Sequence, residues 1–172
     1  MMPIEIIKIQ QDQVEKLQNI GIATFNETFA AINSEENMRF YLENSFSKDK
    51  LYDELANKDS EFYFAILQNE AIGYLKVNFA QAQTELKESN ALEIERIYVL
   101  KKFHAKGVGQ LLYEKAVKIA KSKSIEYLWL GVWEENHKAL NFYTKNGFVA
   151  FDKHIFKLGN DEQTDVMMKL QL

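Results

Sequence analysis

The chain reads as one α+β domain built on a mixed sheet, and three observations lead there. Seven short β-rich runs are spread along its 172 residues. Helical periodicities stand between some of these runs rather than in a separate block. One strand–loop–helix unit, residues 92–121, gathers glycines and charges in a pattern that looks chemical. No internal repeat, linker or low-complexity tract divides the chain, so a single core of ordinary domain size is expected over residues 1–172.

Residues 4–9 (IEIIKI) form a short first strand. A helix follows from about Gln11, with Val14, Leu17, Thr24, Phe25 and Phe29 drifting around one face. Ser34, with Asn37 three residues on, and Ser47 read as N-caps of two further helices. The second covers residues 48–57, with Asp49 in its first turn and Leu51, Tyr52 and Leu55 inward. A hairpin comes next, residues 61–67 (EFYFAIL) and 71–79 (AIGYLKVNF) around the polar turn Gln68-Asn69-Glu70. Residues 81–90 are expected to be a polar surface loop.

In residues 92–99 a period of two puts Glu93, Glu95, Ile97 and Val99 on one face and Leu92, Ile94, Arg96 and Tyr98 on the other. After the loop, Val108, Leu111, Leu112, Ala116, Ile119 and Ala120 recur at helical spacing. Residues 127–133 (YLWLGVW) are apolar enough for a strand covered on both faces. Residues 134–145 read as a short helix stopping at Asn146-Gly147, a left-handed C-cap. Residues 148–156 and 164–170 are the last strands, joined by an acidic turn at 158–162.

Apolar residues make up 47% and aromatics 13%, which places the chain among globular rather than disordered sequences. The net charge is −4, with no basic block longer than Lys101-Lys102. That balance argues against direct nucleic-acid binding and mildly favours a cationic partner. The absence of cysteine excludes disulfides, thiolate zinc sites and a Cys nucleophile. His104, His137 and His154 show no ligand spacing, so no metal is expected. The N-terminus lacks a charged n-region ahead of an apolar run, and no segment approaches membrane-spanning length, so a cytoplasmic setting without membrane association is expected. A homodimer is carried as the expected assembly.

The loop His104-Ala105-Lys106-Gly107-Val108-Gly109 stands at a helix entrance. Glycines there let a ligand approach the backbone, free N–H groups point outward, and the helix dipole adds partial positive charge. A pyrophosphate suits that geometry; an ordinary strand-to-helix turn is the alternative. The loop lacks the P-loop's G-x-x-x-x-G-K-[ST], and Leu112 occupies the third glycine position of the dinucleotide-binding pattern. Further on, residues 136–148 read N-x-x-A-x-x-F-Y-x-K-x-G-F.

Strand, [basic/polar]-x-x-G-x-G, helix, strand and then this second motif, in that order, resemble the Gcn5-related N-acetyltransferases (GNAT) over most of the chain. His104 stands where the family usually has Gln or Arg. The resemblance implies a mostly antiparallel seven-stranded sheet flanked by helices, with acetyl-CoA in a cleft at the central strand. It implies that His104, Ala105, Lys106, Gly107, Val108, Gly109 and Gln110 hold the pyrophosphate. Backbone groups along Ile97, Tyr98 and Val99 would pair with the pantetheine arm as an added strand would. Asn136 would hydrogen-bond the same arm, its alternative role being a helix N-cap. Tyr143 would lie beside the coenzyme sulfur, with Lys145 nearby, and would act as general acid for the departing thiolate; its alternative is a packed aromatic beside Phe142.

The acceptor of such a reaction carries a cost. A primary amine with pKa near 10.4 is neutral in only about one part in 10³ at pH 7, roughly 4 kcal/mol. By resemblance, Glu93 and Glu95 are the carboxylates expected to take its proton, Glu95 foremost; simple pairing with Lys or Arg96 is the alternative. Direct attack in a ternary complex is the expected route. Residues 25–29 (FNETF), 46–51 (FSKDKL) and 154–165, which include His154, further resemble the PaiA-type polyamine acetyltransferases, which implies spermidine or spermine as the small cationic acceptor. A peptide acceptor, and a CoA-binding regulatory module without turnover, are the competing readings.

Overall fold

The computed structural model describes residues 2–172. Its strands are β1 (Glu5–Lys8), β2 (Ser60–Leu67), β3 (Glu70–Phe79), β4 (Ala91–Val99), β5 (Tyr127–Trp133), β6 (Val149–Leu158) and β7 (Asp161–Gln171). The helices are α1 (Val14–Phe29), α2 (Glu35–Ser45), α3 (Lys48–Ala56), α4 (Val108–Ser122) and α5 (His137–Lys145). All seven strands join one sheet in the order β1-β2-β3-β4-β5-β7-β6. Every pairing is antiparallel except β4–β5. A parallel pair needs a crossover, and α4 supplies it. This is the mixed, mostly antiparallel sheet expected.

The caps form as read. Ser34 Oγ accepts from Asn37 N at 3.1 Å and Ser47 Oγ from Lys50 N at 3.3 Å. Two apolar layers sandwich the sheet. On one side Val108, Leu112, Ala116 and Ala120 of α4 and Tyr143 of α5 pack on Leu75, Val77, Ile94 and Leu128. On the other, Leu17, Ile20 and Phe25 of α1, Met38 of α2 and Leu51 of α3 cover Phe62, Phe64 and Tyr74. Phe25 and Tyr41 stack there at 4.6 Å between ring centroids.

Four departures from the sequence reading matter to the site. First, β4 does not alternate throughout. Lys76 faces Arg96 and Val77 faces Ile94, so Glu95 is a bulge residue without a partner on β3. The bulge resets the phase. Ile94, Ile97 and Val99 all join the α4 layer, whereas Tyr98 joins the α1–α3 layer and Arg96 lies over Phe46. The expected common face of Glu93, Glu95, Ile97 and Val99 is therefore split, with both carboxyls on the opposite side from Ile97 and Val99. Second, residues 81–90 are anchored rather than merely superficial. Gln83 is buried, and its Oε1 accepts from Trp129 Nε1 at 2.7 Å.

Third, β5 is covered on both faces only as far as Leu130. β4 pairs with it over Ala91–Glu93 alone and then diverges, leaving Gly131 exposed. Fourth, the acidic turn contracts to Gly159-Asn160, with Gly159 at φ +63°, and Leu158, Asp161 and Glu162 belong to strands. Helix α5 likewise begins at His137, not 134, and stops at Lys145, with Asn146 as C-cap and Gly147 beyond it at φ +98° as expected.

Gly73 fixes how closely β3 and β4 meet. A Cβ there would stand 2.8 Å from the Tyr98 carbonyl oxygen, a backbone atom that cannot swing aside. Gly73→Ala is expected to cost about 1–3 kcal/mol, read as a lower urea midpoint.

Candidate active site

The divergence of β4 from β5 leaves the β5-facing edge of β4 open beyond Glu93 and creates two cavities that share Tyr98. The first, about 460 Å³, is a cleft between the end of β4, the glycine loop and α5. Eleven of the expected coenzyme residues line it: Ile97, Tyr98, Val99, His104, Ala105, Gly107, Val108, Gly109, Gln110, Asn136 and Tyr143. Lys106 and Lys145 do not. Lys106 lies with its ammonium 5.6 Å from the Phe103 ring centroid, and Lys145 is exposed in the last turn of α5. Thr28, Phe103, Lys138, Ala139 and Phe142 also line the cleft.

The loop is shaped for an anion. Gly107 is the N-cap residue of α4 at φ +80°, with no side chain capping the helix. Nothing stands within 4 Å of where a Cβ would lie on Gly107 or Gly109. The first N–H groups of α4 thus have no capping side chain at the positive end of the helix dipole, and no side chain crowds the two glycines beside them, as a pyrophosphate requires. His104 takes a different part. Its Nε2 is 2.8 Å from the Val99 carbonyl oxygen and its Nδ1 is 3.3 Å from Lys138 Nζ. A lysine ammonium only donates, so Nδ1 accepts and Nε2–H donates to the carbonyl. His104 thus clamps the loop to β4 and α5.

On α5, Asn136 Oδ1 accepts from Ala139 N at 3.1 Å. Asn136 is therefore the helix N-cap, and only its amide Nδ2 is left for a ligand in the cleft. Tyr143 is 5% exposed and held edge-on between Phe142 and Phe148, at 5.1 and 5.4 Å between centroids. Burial, then the nearby Tyr113, raises its pKa well above the ordinary phenol value. The hydroxyl stays protonated at neutral pH, which suits a donor and not a base.

The second cavity, about 250 Å³, lies beyond Tyr98 on the α1–α3 side. Phe25, Phe29, Tyr41, Trp133 and Phe156 supply aromatic walls, and Glu85, Glu93, Glu95 and Asp165 supply carboxyls. Glu93 is 3% exposed and fully engaged. Its Oε1 accepts from Thr84 N and Asn78 Nδ2, both at 2.9 Å, and its Oε2 from Thr84 Oγ1 at 2.5 Å. Burial pushes its pKa up, only partly offset by those hydrogen bonds. Glu95 behaves oppositely. Burial would raise it, but Arg96 at 3.2 Å and Lys76 at 2.8 Å outweigh that and hold it at about 2.

His154 and Asp165 face each other across the β6–β7 ladder and both line this cavity. Sequence reading took in His154 and Asp165 only as the two ends of the resemblance over residues 154–165 and did not pair them, because a His and an Asp eleven positions apart carry no local spacing signal. The alternation of two paired strands could have placed them together had the hairpin been drawn with its true two-residue turn.

The Acetyltransferase (GNAT) family model matches residues 26–148. The uncharacterized N-acetyltransferase of the pepI 3′ region of Lactobacillus delbrueckii subsp. lactis is 41% identical over 172 residues, covering 100% of this chain and 99% of the relative. Spermidine N(1)-acetyltransferase of Thermoplasma acidophilum is 30% identical over 155 residues, 88% of this chain and 91% of that protein. Among solved structures, the PaiA N-acetyltransferase of the same organism in complex with coenzyme A superposes with a TM-score of 0.82 at 28% identity, covering 99% of this chain and 100% of that one. The chain belongs to the GNAT acetyltransferase family. It is an N-acetyltransferase whose acetyl donor is acetyl-CoA, and the open helix N-terminus, cleft and free edge of β4 fit that donor.

Proposed function

We propose that the acceptor is a small polyamine of the spermidine/spermine type, acetylated by direct attack in a ternary complex. The observation carrying this is the second cavity, where four carboxyls and one guanidinium stand among aromatic faces. A polycation gains from both, through charge pairing and through cation–π contact. The 30% identity to a spermidine acetyltransferase supports the same acceptor class.

In this reading the coenzyme lies along Ile97–Val99 with its pyrophosphate on the α4 N-terminus, and the acceptor enters from the acidic side past Tyr98. The neutral amine attacks the thioester carbonyl; the C–N bond forms, the C–S bond breaks, and Tyr143 gives its proton to the departing sulfur. The amide nitrogen then sheds a proton that restores Tyr143. Glu95, kept ionised by Lys76 and Arg96, serves as a fixed negative charge for the acceptor rather than as a proton carrier, since a carboxyl near 2 is far too weak a base. The enzyme acts in the cytoplasm on free amines, without nucleic acid or membrane.

A panel of spermidine, spermine, an aminoglycoside and a Lys peptide, scored by CoA thiol release, tests the assignment. The protein has no cysteine and adds no background. Highest kcat/KM for a polyamine is expected. Preference for the peptide would sink the polyamine reading and favour a protein acetyltransferase.

A further inference from the structure

We propose that His154 is the general base that takes the proton from the acceptor ammonium, with Asp165 as its positioning residue. This deepens the acetyl-transfer reading above and rests on it. The two carboxyls that sequence reasoning favours are both compromised. Glu95 is committed to Lys76 and Arg96. Glu93 accepts three hydrogen bonds and is 3% exposed, which leaves little of it to meet an ammonium. His154 is different: its side chain is 28% exposed and lines the acidic cavity.

Its ring is placed for the task. Nε2 lies 3.8 Å from Asp165 Oδ2 and 3.9 Å from Glu85 Oε1. Those separations exceed a hydrogen bond and leave a gap that a water or an amine nitrogen can bridge. Nδ1 is buried without a partner. Trp133, Asp165 and His154 stand side by side across β5, β7 and β6, so the dyad is fixed by paired strands rather than by a loop. Gly131 keeps the space before it open. A Cβ there would come within 3.4 Å of both His154 Cε1 and Asp165 Oδ2.

The titratable and charged groups sharing the cavity with His154 are Asp165 on β7, Glu85 on the β3–β4 loop, Tyr41 on α2, and Glu93, Glu95, Arg96 and Tyr98 on β4. Histidine is the side chain whose ordinary titration lies near neutral pH, where a base must accept and release a proton in each turnover. The step balances simply. R–NH3+ gives one proton to the neutral imidazole, Asp165 and Glu85 stabilise the imidazolium, the freed amine attacks the thioester, and the imidazolium returns its proton to solvent after the product leaves.

The test compares pH profiles of kcat/KM for the wild type, His154→Gln and Asp165→Asn, using acetyl-CoA and the amine of highest wild-type kcat/KM, spermidine on the reading above. At pH 7 the His154→Gln variant is expected to fall about 10²-fold, with acetyl-CoA binding unchanged. The deficit should shrink about tenfold per unit as pH approaches the amine's own pKa, because solution then supplies the neutral amine. Asp165→Asn should show a smaller deficit with the same pH trend, and it carries the test alone if the His154 variant does not fold. A deficit equal at pH 7 and pH 9.5, or a rise in KM with kcat intact, would overturn the proposal and make His154 a binding or packing residue. Wild-type preference for a non-polyamine would overturn the acceptor assignment and leave this comparison intact. Silence of the wild type on every amine would overturn both.

Discussion

Tyr143→Phe is expected to lower kcat for acetyl transfer by about 10²-fold while changing acetyl-CoA affinity little. The substitution removes one oxygen and keeps the ring between Phe142 and Phe148, so the packing of α5 on α4 survives. On the mechanism proposed above, what is lost is the proton donor, a phenol that burial keeps protonated at neutral pH. A leaving thiol has an ordinary pKa of about 8.5, so the thiolate can depart unaided, only more slowly. The deficit should therefore be finite and fall on kcat rather than on KM. Pre-steady-state CoA release and coenzyme titration check the two halves separately. An equal loss in coenzyme affinity would mean that the hydroxyl binds rather than donates.

Glu95→Ala is expected to destabilise the fold by about 3 kcal/mol. It leaves the Lys76 and Arg96 side chains, 7% and 11% exposed, with only Glu54 to balance them, at 2.6 and 3.6 Å. The remaining Glu54 places the cost at the low end of the range for breaking buried ion pairs. The pH dependence has a definite sign. Glu95 is held at about 2, below the ordinary 4.5, so its contribution is full above pH 4.5 and disappears as pH falls toward 2. Urea midpoints of wild type and variant should differ most at neutral pH and converge in acid. A gap that stays constant down to pH 3 would contradict the assignment.

Much of this architecture was legible because its signals are local. The Ser34 and Ser47 caps, the Asn146-Gly147 stop and the glycine loop before Val108 all fell where read, since each depends on a few adjacent residues. The cleft residues from Ile97 to Gln110 followed from one strand–loop–helix unit. What escaped depends on partners far away in sequence. A one-residue bulge at Glu95 arises from the register against Lys76 and Val77, and strict alternation cannot foresee it. The roles of Glu93 and Glu95 diverge because Thr84 reaches only the first carboxyl and Lys76 and Arg96 only the second, while Asn78 Nδ2 donates to both. Asp165 and His154 meet only through strand pairing. Lys106 and Lys145, by contrast, matched a motif whose neighbours line the cleft while their own side chains point elsewhere.

On the mechanism proposed above, acetyl-CoA and an amine are expected to react together where the two cavities meet at Tyr98. The most direct test is the initial rate of CoA release with acetyl-CoA and spermidine varied against each other. Intersecting reciprocal plots, with release strictly dependent on the amine, are the predicted result. Tight acetyl-CoA binding with no amine-dependent release would contradict the claim and leave a coenzyme-binding module in its place.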